Sequence, residues 1–172
     1  MNKEPKGLLK RKHPRLGNFD YSSNGAYFVT ICTQNRRCVL SKIVGRGLAP
    51  AESFDSEYSL YGKIAEEQLL LLGERFSCLT IDDYVIMPNH IHAIFMIKDE
   101  TAGASPRPTI MDIVCAYKSL TTKQCKNNGF RDNIFQTSFY EHIIRDRHDY
   151  DEIKKYIYEN PMRWHYDELY TE

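Results

Sequence analysis

The sequence predicts an α+β fold: a ferredoxin-like antiparallel sheet with helices on one face, followed by a C-terminal helix. Three observations predict it. Segments rich in β-branched and aromatic residues alternate with helical patterns in the order β-α-β-β-α-β-α, the arrangement of a split βαβ sheet. The two middle strands meet at Pro88-Asn89, a hairpin signal because proline cannot sit inside a central strand. The 172 residues are 42% hydrophobic, 27% charged and 12% aromatic, enough for one domain with a sizeable core.

Residues 1–19 read as an extended basic arm, because Gly7, Pro14, Gly17 and a Lys/Arg run oppose regular structure. The domain proper then runs over 20–172. Ala26 to Thr33 (AYFVTICT) predicts the first strand. Residues 43–59 mix Gly, Pro, Ser and acids and read as a long surface loop. Tyr61 to Phe76 places Ile64, Leu69, Leu72 and Phe76 at roughly helical spacing. Asp83 to Met87 and His90 to Ile97 predict the hairpin. Residues 99–108 read as a second loop. Thr109 to about Lys126 predicts a helix with Ile110, Ile113, Val114, Tyr117 and Leu120 inward. Phe135 to Arg145 reads as the last strand. Asp149 to Asn160 reads as the last helix, with acids in its first turn and a stop at Pro161.

Several function classes are excluded. No run approaches the ~18 apolar residues of a membrane span. Met1 to Arg15 is basic but lacks the apolar stretch of a secretory signal. Five cysteines form no C-x-x-C pair, which fits reduced thiols in a cytoplasmic protein. Lys plus Arg and Asp plus Glu number 23 each, yet the charge is uneven: residues 1–51 hold ten basic and two acidic side chains. Lys118 to Arg131 holds four basic residues and no acid. A neutral chain with such patches can bind a polyanion, and a solvated basic tail has the same signature.

The first constellation that carries chemistry is M-P-N-H-I-H, Met87 to His92. Residues i and i+2 of a strand share a face, so His90 and His92 project together and Ile91 faces the core. Two neutral imidazoles side by side can give their lone pairs to one cation. Two hydrogen-bonded histidines of no further role fit the spacing as well. A two-histidine site needs a third ligand. Tyr156 and Asn160 are spaced i, i+4 near the end of the last helix and share a face. Asn160 offers a hard carbonyl oxygen, suited to Mg²⁺ or Mn²⁺ rather than zinc. A packing tyrosine and a helix-stop asparagine before Pro161 are the plainer account of the same residues.

Taken together, M-P-N-H-I-H, the Y-x-x-x-N-P of Tyr156 to Pro161, S-F-Y-E-H-I-I-R at 138–145, the K-S-x-T stretch from Lys118 and N-P-M-R-W up to Trp164 resemble the HUH-type single-tyrosine transposases, within them the REP-associated tyrosine transposases. The likeness spans the chain from the Ala26 strand to Trp164. It departs at Phe135-Gln136, where many relatives carry Trp-Gln. The resemblance implies that Tyr156 attacks a phosphodiester of single-stranded DNA to give a 5′-phosphotyrosine and a free 3′-hydroxyl, reversibly. It implies that His90, His92 and Asn160 hold a divalent cation, Mg²⁺ or Mn²⁺, against the phosphate. No ATP site is needed, and no G-x-x-x-x-G-K motif is present. The expected partner is single-stranded or hairpin DNA. Candidate DNA contacts are Lys10, Arg11, Lys12, His13 and Arg15 on the arm, Arg36 and Arg37 after the first strand, and Lys118 and Lys123 on the second helix. A homodimer with Tyr156 acting in trans is a further implication. Two other readings stay open: a palindrome-binding protein without turnover, and a two-histidine metal-dependent hydrolase.

Overall fold

In the computed structural model, residues 23–45, 54–98 and 108–171 are described. The basic arm with Lys10, Arg11, Lys12, His13 and Arg15 lies outside the described residues, as do 46–53 and 99–107 of the two predicted loops.

Strand β1 (Gly25–Cys32) runs through the middle of a four-stranded antiparallel sheet. It pairs on one side with β5 (His90–Ile97) and on the other with β6 (Tyr140–Ile144). Strand β4 (Leu79–Ile86) pairs outside β5, giving the order β4-β5-β1-β6. This is the ferredoxin-like order expected when two βαβ halves interleave.

Both faces of the sheet are covered, which is why β1 and β5 read as nearly continuous apolar runs. Tyr27, Val29 and Ile31 join Ile91, Ala93, Phe95 and Ile97 on one face. Helices α1 (Leu60–Leu70), α2 (Leu72–Arg75) and α3 (Ile110–Asn127) bury Ile64, Leu69, Leu72, Ile113 and Tyr117 against them. On the opposite face Phe28, Val85, Met87 and Ile94 meet Ile153 and Ile157 of α4 (Arg147–Glu159) and Trp164 of the 3₁₀ turn Pro161–Tyr166. The last helix therefore lies across the face that carries His90 and His92.

Helix starts follow cap chemistry. The Ser59 hydroxyl accepts from the amides of Tyr61 and Gly62, and Thr109 with Asp112 forms a reciprocal capping box. The Asp146 carboxylate accepts from Asp149 N–H, so α4 begins at Arg147, two residues before the Asp149 start that its acid-rich turn predicts. The helix predicted over 61–76 is two, divided at Leu71.

Two further expectations need correcting. The segment read as a loop over 43–59 contains a separate antiparallel pair, β2 (Ser41–Gly45) with β3 (Phe54–Tyr58). Only Tyr140–Ile144 of the predicted strand 135–145 joins the sheet; Phe135 makes one isolated bridge to Thr33. Between them the chain is held by other means. Gln136 donates its backbone amide to the Cys32 carbonyl at 3.0 Å and its side-chain amide to the Thr33 carbonyl at 3.1 Å. Lys118 donates to the Thr137 carbonyl at 2.6 Å.

Candidate active site

Strand periodicity places His90 and His92 on the α4 face, with ring centroids 4.5 Å apart. His90 is fully buried at 0% exposure. Its Nδ1 lies 2.8 Å from Asn89 Oδ1. The Asn89 amide nitrogen is already committed, donating at 2.7 Å to the Leu169 carbonyl, so the oxygen must face His90. His90 Nδ1 therefore carries the proton and Nε2 the lone pair. That Nε2 has no hydrogen-bond partner among the described residues. His92 pairs across the ladder with Thr30, whose hydroxyl sits 2.8 Å from Nδ1. Phe28 stacks on its ring at 5.1 Å.

Burial keeps both imidazoles uncharged. It pushes the His90 pKa down to about 4, although the nearby Asp167 carboxylate pulls the other way. Burial pushes His92 well down too, and a charge on His90 would push it further. A neutral His90 with its Nε2 lone pair unpartnered, and a neutral His92 beside it, are ready as ligands at neutral pH.

Helix α4 brings Tyr156 and Asn160 to the same place one turn apart. Tyr156 Oη lies 3.2 Å from His92 Nε2, and its ring meets the His92 and Phe28 rings at 5.1 and 6.0 Å. It is still 43% exposed, so a ligand reaches the hydroxyl from solvent. Burial chiefly, then the Asp167 carboxylate, raises its pKa, while the Asn160 side chain lowers it. The phenol is thus protonated at neutral pH, and a group that cancels negative charge is needed for it to act as a nucleophile. Asn160 is 3% exposed. It donates Nδ2 to Asp167 Oδ2 at 3.1 Å, and its Oδ1 has no partner among the described residues.

All four residues expected at the centre, His90, His92, Tyr156 and Asn160, are therefore together. Sequence reasoning missed Asp167. Its Oδ2 is 3.8 Å from His90 Nε2, and one ligand atom each from His90, His92 and Asp167 lie within 4.8 Å of one another. Two buried orphan acceptors, His90 Nε2 and Asn160 Oδ1, beside a carboxylate form a donor set that fits a divalent cation with mixed nitrogen and oxygen ligands.

The expected DNA contacts divide. Arg36 lies at the edge of the site on the 3₁₀ turn Gln34–Arg36, donating to the Glu168 carbonyl at 3.4 Å. Arg37 turns away, over the Phe130 ring at 5.1 Å and 3.5 Å from Asp132. Lys118 is used internally on Thr137, bracing the rim of the cleft. Lys123 is exposed on α3, behind the sheet from the histidines.

The site opens into a cleft of 1320 Å³. Tyr140, Tyr156 and Tyr166 line it and are exposed, and Phe139 joins them. Glu152, Glu159, Asp167 and Glu168 also line it, against Lys155 and Arg163 as the basic side chains. Arg163 is tied to Glu159 at 3.2 Å. Phe139, Tyr140, Tyr156 and Arg163 belong to the motifs quoted above, whereas Glu152, Lys155, Tyr166, Asp167 and Glu168 lie outside them and are brought here only by the fold.

No family model matches the chain. An uncharacterized protein of Haemophilus influenzae is 32% identical over 96% of each chain. The REP-associated tyrosine transposase of Escherichia coli is 26% identical, over 83% of this chain and 70% of its own. The solved structure of a REP-associated tyrosine transposase bound to a REP hairpin is 20% identical. It superposes with a TM-score of 0.57, covering 95% of this chain and 74% of its own, and at that identity it speaks for the fold.

Proposed function

Because the chain belongs to the REP-associated tyrosine transposases, we propose that it nicks and rejoins single-stranded DNA beside a hairpin, with Tyr156 as nucleophile and a divalent cation, Mg²⁺ or Mn²⁺, held by His90, His92 and Asn160. The observation that carries this reading is the Tyr156 hydroxyl 3.2 Å from His92 Nε2, open to a cleft and beside the unpartnered lone pair of His90.

The raised pKa keeps the Tyr156 phenol protonated, and the phenolate character it gains on attack is repelled by the phosphodiester charge. The cleft deepens the problem, since four acids line it against two bases. A bound cation would neutralise phosphate charge and polarise phosphorus. The protein supplies the rest. Asn89 and Thr30 fix the two imidazoles by their Nδ1 atoms, so neither ring rotates as substrate arrives. Phe28 packs against His92 and Tyr156 together and holds their relative position. Tyr156 Oη then forms the bond to phosphorus as its proton leaves. The bond to the 3′ oxygen breaks, and that oxygen takes up a proton. The adduct is a 5′-phosphotyrosine, and attack by a 3′-hydroxyl reverses the step. The phosphotyrosine conserves the energy of the broken bond, so no nucleotide cofactor is called for.

The strand would lie along the cleft with bases against the exposed rings of Tyr140 and Tyr166, since stacking serves any base. Lys155 on the cleft and Arg36 at its edge would meet phosphates, and the arm residues Lys10, Arg11, Lys12, His13 and Arg15 would hold the hairpin. The similar solved structure's REP hairpin supports this choice of partner.

The test is incubation with end-labelled hairpin DNA carrying a single-stranded flank, with Mn²⁺ and with excess EDTA. The reading predicts protein covalently attached to label in Mn²⁺ and none in EDTA. Cleavage without an adduct would favour a metal-dependent hydrolase. Binding without cleavage would favour a palindrome-binding protein.

A further inference from the structure

We propose that Asp167 is a ligand of the cation in this chain, and that the C-terminal segment 167–171 is thereby part of the metal site, so that cation binding and docking of the segment stabilise each other. The proposal rests on the metal reading above and adds a carboxylate and a docking equilibrium to it.

Distance comes first. Cis ligand atoms on an octahedral ion with bonds of ~2.1 Å sit about 3 Å apart, and trans atoms about 4.2 Å. Asp167 Oδ2 and His90 Nε2 are 3.8 Å apart, and the His90, His92 and Asp167 ligand atoms all fall within 4.8 Å. The His90–Asp167 pair is about 0.8 Å wider than the cis spacing, so the carboxylate closes on the rings as the cation binds.

Electrostatics comes second. The Asp167 side chain is 4% exposed and faces a buried imidazole lone pair. Asp167 Oδ1 accepts the Leu169 amide at 2.6 Å and Oδ2 accepts Asn160 Nδ2 at 3.1 Å. Those bonds orient the carboxylate without supplying a positive charge. A cation between Oδ2 and the two rings supplies it, and gives His90 Nε2 its missing partner.

The coupling comes from Asn89. Its oxygen holds His90 Nδ1, and its nitrogen clamps the Leu169 carbonyl at 2.7 Å and Thr171 Oγ1 at 3.1 Å. Thr171 Oγ1 in turn donates to the Arg36 carbonyl at 3.0 Å, and Tyr170 packs on Trp164 at 5.1 Å. One amide thus orients a metal-binding histidine and anchors the segment that delivers the carboxylate. Ligands that bind the same docked state must favour each other reciprocally.

The experiment is Mn²⁺ binding by calorimetry on the full chain without DNA, together with amide exchange at Leu169 and Tyr170. Wild type, Asp167→Asn and His92→Ala are compared. The expected result is Mn²⁺ binding at least tenfold weaker in Asp167→Asn, the lower bound for disturbing a ligand shell. Saturating Mn²⁺ should slow exchange at Leu169 and Tyr170 tenfold or more in wild type, and leave it unchanged in Asp167→Asn. Equal Mn²⁺ affinity in wild type and Asp167→Asn, with binding lost in His92→Ala, would overturn this proposal while leaving the two-histidine reading standing. Unchanged exchange on Mn²⁺ addition to wild type would overturn the coupling. No Mn²⁺ binding to wild type would overturn both. Metal-free melting curves control for folding, and if Asp167→Asn melts early the exchange measurement on wild type decides alone.

Discussion

Lowering the pH in metal-free buffer should destabilise the protein in a window set by the buried histidines. The folded pKa of His90 is about 4 against 6.5 for the free side chain. A group whose folded value is depressed leaves stability intact above the unfolded value. Below 6.5 the unfolded chain takes up a proton that the folded chain refuses, and stability falls until the pH reaches about 4. Each unit is worth about 1.4 kcal/mol, so His90 alone removes about 2 kcal/mol between pH 6.5 and 5, and about 3 kcal/mol in full. The ring is fully buried, so solvent screening does not reduce the figure. His92 shifts in the same direction, and the two rings at 4.5 Å resist being charged together. Carboxylates held low, such as Asp112 and Asp149, add their loss only at lower pH, so the window between 6.5 and 5 belongs to the two buried histidines. Urea unfolding at pH 7.5, 6.5, 5.8 and 5.0 measures it. His90→Gln should flatten the profile by about 1 kcal/mol per unit while lying lower throughout. Parallel profiles for wild type and His90→Gln would refute the claim that His90 is buried neutral.

Gly62→Ala should destabilise by about 3 kcal/mol, the upper end of overpacking costs, because a Cβ there would sit 2.0 Å from the Leu40 carbonyl oxygen, which also accepts the Ser59 amide; a wild-type melting temperature would mean that α1 and Leu40 are not in this register. Tyr166→Ala should weaken binding to the single-stranded flank by about 1–3 kcal/mol and leave the melting point alone, since that ring is 90% exposed. Unchanged binding to flanked hairpins in a filter assay would remove Tyr166 from the proposed stacking surface. Deleting residues 1–15 should lower the log–log salt slope of hairpin binding by about 0.7–0.9 for each phosphate that the arm neutralises; an unchanged slope would show that the arm touches no phosphate.

Much of this architecture is legible in the chain because it rests on local periodicity. β1 and β5 are buried on both faces, so each reads as a continuous apolar and β-branched run. The capping box at Thr109 marks α3 within a residue. His90, His92, Tyr156 and Asn160 are related by periods of two and about 3.6, and those periods survive folding. Where pairing depends on distant partners the signal fades. Ser41–Gly45 and Phe54–Tyr58 are short and mostly polar, and the Gly/Pro/Ser-rich stretch between them reads as loop. Phe135 to Phe139 has strand-like composition, but its hydrogen bonds go to Cys32, Thr33 and Lys118 rather than along a ladder. Asp167 follows Asn160 by seven residues across a 3₁₀ turn, where no repeat relates the two. Its position is set by Leu169, Asn160 and the Asn89 clamp. Arg37 and Lys118 carry the right charge for DNA, yet the fold spends one on Asp132 and Phe130 and the other on Thr137.

The central claim is that Tyr156 is the nucleophile, and the most direct measurement is mass spectrometry of the covalent protein–DNA adduct trapped in Mn²⁺. Tyr140, Tyr158 and Tyr166 are exposed and chemically equivalent as phenols, but only Tyr156 has its hydroxyl on His92 and Asn160 one turn on. The account predicts a nucleotide on the peptide containing Tyr156, and no adduct from Tyr156→Phe, a change that removes one oxygen and leaves the packing on Phe28. An adduct mapped to Tyr140, Tyr158 or Tyr166, or normal cleavage by Tyr156→Phe, would contradict it.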